Sequence, residues 1–173
     1  SSLLNNLLIW ANSQTGNLEF KPEKIEVVKL VSDVVALVEI QAINKDINVF
    51  NSVHHNLYVL ADKNMLSTIL RNLISNAIKF SNPESEIQIN SSFDSKFIKI
   101  SVRDEGTGME KSTIDQLFNI EYKNSYIGTA NEQGSGLGLI LCKDFVEKNG
   151  GTIWAESAVG TGSTFNFTIP IYK

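Results

Sequence analysis

The chain has 173 residues, 42% hydrophobic and 20% charged, with 11 glycines and one cysteine, which is the make-up of one globular domain large enough to bury a core. Fifteen Lys and Arg stand against nineteen Asp and Glu, for a net charge of −4, and no basic run carries interleaved aromatics, which argues against nucleic acid as a partner. The longest apolar runs, residues 27–28 and 34–38, are bounded by Lys29, Asp33 and Glu39, far short of the ~20 residues a membrane span requires.

The start at Ser1 without Met, and the lack of a basic-then-apolar leader, read as a piece of a longer protein with no targeting signal in view. Cys142 is single and lies in an apolar helical pattern, so a structural disulfide is not expected and a reducing cytoplasm is the natural setting. A membrane anchor elsewhere in the parent is left open.

Taken in chain order, residues 3–12 place Leu3, Leu4, Leu7 and Leu8 at helical spacing, and Gly16, the extended run 18–20 and Pro22 end that helix. The domain boundary falls here, with 1–16 as helical stub and linker and 17–173 as the main unit. Residues 27–44 carry one apolar helical face at positions 30, 34, 37 and 38. Strands are expected at about 47–51 and 57–61, with His54 and His55 in a solvated hairpin between them. Asp62 then stands as N-cap to a helix through Met65, Leu66, Ile69, Leu70, Leu73, Ile74 and Ala77, stopped by Asn82-Pro83.

Two alternating runs, Ile87 with Ile89 and Ile98 with Ile100 and Val102, read as paired strands ending at Asp104. A short helix near 111–117, a polar stretch at 119–133, a helix at 137–149 and strands at 152–156 and 163–170 complete the chain. The expected fold class is α+β, a two-layer sandwich with a mixed sheet covered on one face by helices.

The chemistry concentrates in three places. On the helix after Asp62, Asn72, Asn76 and Lys79 fall within about 60° of arc, beside the apolar stripe, where a cleft would meet them. Asp104-Glu105-Gly106-Thr107-Gly108 follows a strand, with glycines that let backbone approach a ligand. Gly134-Ser135-Gly136-Leu137-Gly138-Leu139 opens a helix, whose free N–H groups and positive dipole end suit phosphate. The last pattern also has dinucleotide-like spacing, but no βαβ unit precedes it and a polar stretch stands there instead.

Together, Asn72-Leu73-Ile74-Ser75-Asn76-Ala77-Ile78-Lys79-Phe80, Asp104-x-Gly106-x-Gly108, Leu117-Phe118, Gly134-x-Gly136-Leu137-Gly138-Leu139 and Gly160-x-Gly162-Ser163-Thr164-Phe165 resemble the catalytic domain of sensor histidine kinases, in order and spacing, over about residues 18–171. That family shares its ATP-binding fold with gyrase, Hsp90 chaperones and MutL repair proteins. The resemblance implies ATP and Mg²⁺ as ligands: Asn76 on the metal through its amide oxygen, Lys79 on a phosphate, and Asn72 supporting the same cluster. Asp104 would accept from the amino group of adenine and discriminate against guanine.

Gly106, Gly108, Gly134, Ser135, Gly136, Leu137 and Gly138 would meet the nucleotide, with Phe80, Met109, Thr164 and Phe165 as walls. Residues 119–133 would form the ATP lid, anchored by Phe118. Its only basic residue, Lys123, is not assigned to the site.

Related ATPases carry a Glu one turn before the metal Asn as general base for water; Asn72 stands there in this chain, and an amide cannot take that proton. The resemblance therefore implies phosphoryl transfer to a histidine on dimerisation helices, of which residues 1–13 resemble the end. His54 and His55 are not expected to be acceptors. The chain alone should bind ATP without autophosphorylating and remain monomeric, while the parent forms a homodimer and passes its phosphoryl group to a response regulator.

Overall fold

The computed structural model describes residues 2–121, 127–132 and 134–173, with side chains described from Leu4 onward. The described residues form α1 (Ser2–Gln14), β1 (Pro22–Glu26), α2 (Val27–Ile43), β2 (Asn48–Ser52), β3 (Tyr58–Asp62), α3 (Lys63–Phe80), β4 (Glu86–Phe93), β5 (Phe97–Asp104), α4 (Lys111–Ile114), α5 (Gly138–Lys148), β6 (Ile153–Ala158) and β7 (Gly162–Pro170).

β2, β4, β5, β7 and β6 form one sheet in that order, parallel between β2 and β4 and antiparallel elsewhere, while β1 and β3 form a separate antiparallel pair. The expected mixed sheet with helices on one face is what the chain builds. Two details differ. β1 was not expected: its sequence, Pro-Glu-Lys-Ile-Glu, buries only Ile25, and Pro22 is tolerated because it opens a strand. Nor do β2 and β3 form a hairpin around His54 and His55. β2 joins β4 and β3 joins β1, so both histidines lie in a crossing connection, exposed, with His54 Nδ1 2.9 Å from Ser91 Oγ.

α3 is the central helix. Asp62 caps it, Oδ1 accepting from the N–H groups of Asn64 and Met65 at 3.0 Å each and Oδ2 from the Lys21 N–H at 2.9 Å. Met65, Leu66, Ile69, Leu70, Leu73 and Ile74 are almost wholly buried between the sheet, α2 and α5. Seen from α1, the faces divide: Asn6, Ile9, Trp10 and Ser13 turn toward the domain, with Ser13 bonded to Asp144 and Lys148 of α5, while Leu4, Leu7 and Leu8 are exposed. The side chain of Leu3 lies outside the described residues.

The register of the large sheet determines where apolar core gives way to a polar site. One core-facing row runs Ile89, Val102, Phe165 and Ala155 across β4, β5, β7 and β6. The next row on that face, two residues on, is Ile87, Asp104, Ser163 and Ser157. Strand alternation thus carries a carboxylate and two hydroxyls to the end of a hydrophobic face.

Candidate nucleotide site

A cleft of about 1120 Å³ opens along the polar edge of α3. Asn72, Asn76 and Lys79 line it, as do Phe80 at the end of the helix, Asp104, Gly108 and Met109 beyond β5, and Gly134, Ser135, Gly136 and Gly138 leading into α5. Segments distant in sequence thus share one cavity because α3 lies against the sheet on one side and α5 on the other.

Asp104 is only 4% exposed, and its Oδ1 accepts from the N–H groups of Gly106 at 2.9 Å and Ser163 at 3.2 Å. Burial pushes its carboxyl pKa above the ordinary value, and those two backbone bonds pull the other way without reversing it. Gly106 does not line the cleft; it holds Asp104 from behind, where a Cβ would sit 2.3 Å from the Phe80 carbonyl oxygen.

On the far wall, Leu137 occupies the N-cap position of α5 and is buried, so it supports the loop without facing the cavity. Gly138 begins the helix close against Asn72: a Cβ there would stand 3.1 Å from Asn72 Oδ1, so the amide would have to give by a few tenths of an ångström. Asn72 Nδ2 is buried without a hydrogen-bonding oxygen or nitrogen, and the neighbouring Cys142 sulfur is a weak acceptor. Burial pushes that thiol up to about 12, the Asn72 contact opposing it slightly, so Cys142 remains protonated and packs as a core residue.

Residues 61–173 match the family described as Histidine kinase-, DNA gyrase B-, and HSP90-like ATPase. The chain belongs to that family. Among curated relatives it is 33% identical to the sensor histidine kinase WalK of Bacillus subtilis, over 99% of this chain and 28% of that protein. It is 34% identical to the sensor-like histidine kinase SenX3 of Mycobacterium tuberculosis, over 84% of this chain and 36% of the relative. The chain therefore spans about a third of the length of these relatives.

Among solved structures, full-length ShkA in complex with AMPPNP superposes with a TM-score of 0.84 at 25% identity, covering 99% of this chain and 36% of that one. The catalytic domain of histidine kinase ThkA superposes at 0.73, also at 25% identity, covering 88% and 97%. Within the family, the chain stands with the catalytic domains of sensor histidine kinases.

The kinase-type cleft differs from the sequence reading at its wall. Thr164 faces the opposite side of β7, between Arg103 and Glu156, and does not line the cleft. Ser163 and Phe165 do, as period-two alternation along β7 requires. Ser163, which the Gly160–Phe165 motif contains without a role, is one of several lining residues not assigned from the sequence; its Oγ lies 2.8 Å from Ser157 Oγ, which in turn accepts from the Met109 N–H at 2.9 Å. Of the expected lid, residues 122–126, including Lys123, and Gln133 lie outside the described residues. Phe118 packs partly buried against the core.

Lys79 has its pKa lowered, chiefly by burial, with Lys45 lowering it further and Glu132 opposing. Its Nζ lies 4.8 Å from the centre of the Phe80 ring. Among the described residues, no group of three or more His, Cys, Asp or Glu is placed to hold a metal ion. A divalent cation in this histidine kinase-like domain would therefore need most of its ligands from elsewhere. The amide oxygens of Asn72 and Asn76 are hard, neutral donors on the cleft wall, a donor set that fits Mg²⁺ carried in by nucleotide phosphates. No helix among the described residues is long and apolar enough to cross a membrane.

Proposed function

We propose that this chain binds Mg-ATP in the cleft and donates the γ-phosphoryl group to a histidine on dimerisation helices of a longer sensor kinase. The observation that carries the reading is the convergence in one cavity of the Asn72, Asn76 and Lys79 edge, the buried Asp104 and the glycine loop that opens α5. Asp104 accepts from the adenine amino group, and a carboxylate repels the carbonyl oxygen that guanine places there. Gly108 lets the backbone beyond β5 pack against the Ala158 main chain and so shapes the wall beside the base. The N–H groups at the start of α5 and the Lys79 ammonium meet the phosphates.

Asn76, supported by Asn72, would hold Mg²⁺. When bound, the ion neutralises charge across the phosphates. Transfer forms an N–P bond to the acceptor histidine and breaks the bond between the γ-phosphorus and the bridging oxygen, with ADP leaving. The protein's part is to position the donor and stabilise charge. An amide at Asn72 gives water no general base, which favours transfer over hydrolysis.

We take 17–173 as the catalytic unit and 1–16 as the end of a dimerisation helix and its linker. On this reading the exposed Leu4, Leu7 and Leu8 belong to a helical bundle in a homodimeric parent, a response regulator receives the phosphoryl group, and the domain works in the cytoplasm.

The decisive experiment is calorimetric titration with ATP and GTP, with and without Mg²⁺, followed by joining the chain to histidine-bearing helices of a relative and assaying for phosphohistidine. Mg-assisted binding of ATP over GTP and labelling of the histidine are expected. A folded chain that binds neither nucleotide, or a joined chain that binds ATP and never labels, would refute the assignment.

A further inference from the structure

The end of the cleft away from Asp104 takes part of its lining from α1, a helix that the nucleotide assignment does not use. Asn6 lines the cavity together with Asn72, Gly138 and Leu139. It is only 9% exposed, yet its side chain has no hydrogen-bond partner among the described residues. Buried amides are nearly always hydrogen-bonded, so one left without a partner on a cavity wall is poised for a ligand that enters the cavity.

The run of the helices decides which part of the ligand it meets. The Thr107 N–H donates to the Phe80 carbonyl at 3.2 Å, so Asp104 and the base it reads lie at the C-terminal end of α3. Asn72 is two turns earlier, about 12 Å along the axis at 1.5 Å per residue, and Gly138 stands against it there. A nucleotide with its base at Asp104 therefore extends its phosphates toward Asn72 and the start of α5.

Asn6 reaches the same level. Ser13, near the end of α1, bonds to Asp144 and Lys148 of α5, the Lys148 Nζ donating to the Ser13 carbonyl at 3.2 Å. Because Asn6 shares the cleft with Gly138 and Leu139, the two helices run side by side in the same direction. Counted back from the Ser13–Asp144 junction, seven residues of α1 rise about 10.5 Å and six of α5 about 9 Å, which brings Asn6 level with Gly138.

Charge at this end also favours an anion. Among the described residues, the cations lining the cleft are Lys45, Arg71 and Lys79. Lys45 is committed: its Nζ donates to the carbonyls of Ile78 at 3.0 Å and Lys79 at 2.7 Å and to Glu132 Oε1 at 2.8 Å, which occupies all of its donors. Arg71, adjacent to Asn72, has no ion pair or side-chain hydrogen bond among the described residues, and a guanidinium suits phosphate.

We propose that Asn6 is a ligand for the γ-phosphate: its amide nitrogen donates to a terminal phosphate oxygen, so that α1 completes the triphosphate end of the site. The inference rests on the cleft being an ATP site and gives the N-terminal helix a nucleotide contact of its own. The contact requires α1 seated along α5, so ATP favours the seated helix and ADP, which lacks that phosphate, does not. A ligand shifts such an equilibrium only through contacts it makes in one of the two states.

The test measures the affinities of the 173-residue chain for Mg-ATP, Mg-ADP and adenosine in wild type, N6A and N6D. A hydrogen bond to a charged oxygen sets the scale, so N6A should weaken Mg-ATP about tenfold while Mg-ADP and adenosine bind as before. N6D sets a carboxylate against the phosphate and should weaken Mg-ATP further. Equal losses for Mg-ATP and Mg-ADP would show a merely structural role and overturn the proposal, as would either variant binding Mg-ATP as tightly as wild type.

Trp10, which packs partly buried against the core, gives a second readout. In W154F it is the sole tryptophan, and Mg-ATP should shield it from acrylamide more than Mg-ADP does, a difference that N6A/W154F should lose. Equal shielding by the two nucleotides would overturn the proposal. Wild type binding no nucleotide would overturn the ATP reading and this inference with it, whereas wild type binding Mg-ATP with N6A unaffected overturns only the role given to Asn6.

Discussion

The main-chain N–H of Ser163 on β7 points at Asp104 on β5, 3.2 Å from Oδ1, the same oxygen that accepts from the Gly106 N–H at 2.9 Å. Both backbone bonds fall on one carboxylate oxygen, which leaves Oδ2 to accept from a ligand. In D104N the amide oxygen can still take both backbone N–H groups, but the amide nitrogen is a donor where adenine also donates. We expect ATP affinity to fall at least about 30-fold, the scale of a lost charge-assisted bond plus an unfavourable donor pair. The buried site favours a neutral group, so the unfolding midpoint should hold or rise. Calorimetry with a thermal melt checks both; a melt lowered by several degrees at unchanged affinity would contradict this account.

The same burial gives binding a pH dependence. The Asp104 pKa is raised in the folded chain, whereas adenine binding needs the ionised form. The folded state thus holds this proton more tightly than the unfolded one, and the contribution to stability falls as pH rises from the ordinary carboxyl value, about 3.9, through the raised value. Adenine affinity runs the opposite way and should weaken as pH drops through that raised value. Adenosine, which has no phosphate to titrate, is the suitable probe. Its binding near the raised pKa should release a proton, seen as a heat that varies with buffer ionisation enthalpy in wild type and not in D104N.

Gly108 separates a need for backbone freedom from a need for space. It sits at φ +67°, and a Cβ there would come within 1.9 Å of the Ala158 carbonyl oxygen; Gly160 has a similar φ of +81° with nothing within 4 Å. G160A should cost only the backbone strain, about 1 kcal/mol. G108A adds a clash with rigid main chain and must displace the β6–β7 turn, so it should cost more than twice as much and weaken ATP binding. Denaturant unfolding of the two variants checks the difference, and equal losses would contradict it.

What was legible in the sequence was local. Asp62 announces α3 because an N-cap bonds within three residues of itself, and the wheel of α3 places Asn72, Asn76 and Lys79 beside the stripe that later proves buried. The glycine sets were legible because turn geometry restricts residue choice. Pairing was not. Nothing in residues 48–62 says that β2 will join β4 and β3 will join β1, since both choices bury the same alternating side chains. Thr164 was assigned where Ser163 belongs because the motif was read without its strand phase. Lys45 gave no signal, for its partners are 33, 34 and 87 residues away.

Asn76 offers the sharpest test of the metal. It lines the cleft on α3, and no described cluster of acidic or sulfur ligands could hold Mg²⁺ without a nucleotide. Mg²⁺ should therefore raise ATP affinity without binding the bare chain, and chelation should return the affinity to the metal-free level without lowering the unfolding midpoint. N76A should lose that increment, about tenfold for one hard ligand together with the nucleotide contacts it aligns, while metal-free ATP binds as in wild type. An aspartate offers two charged oxygens, so N76D should hold Mg²⁺ more tightly yet repel metal-free ATP. If N76A and wild type gain equally from Mg²⁺, the ion is held by the phosphates alone and Asn76 serves only the shape of the cleft.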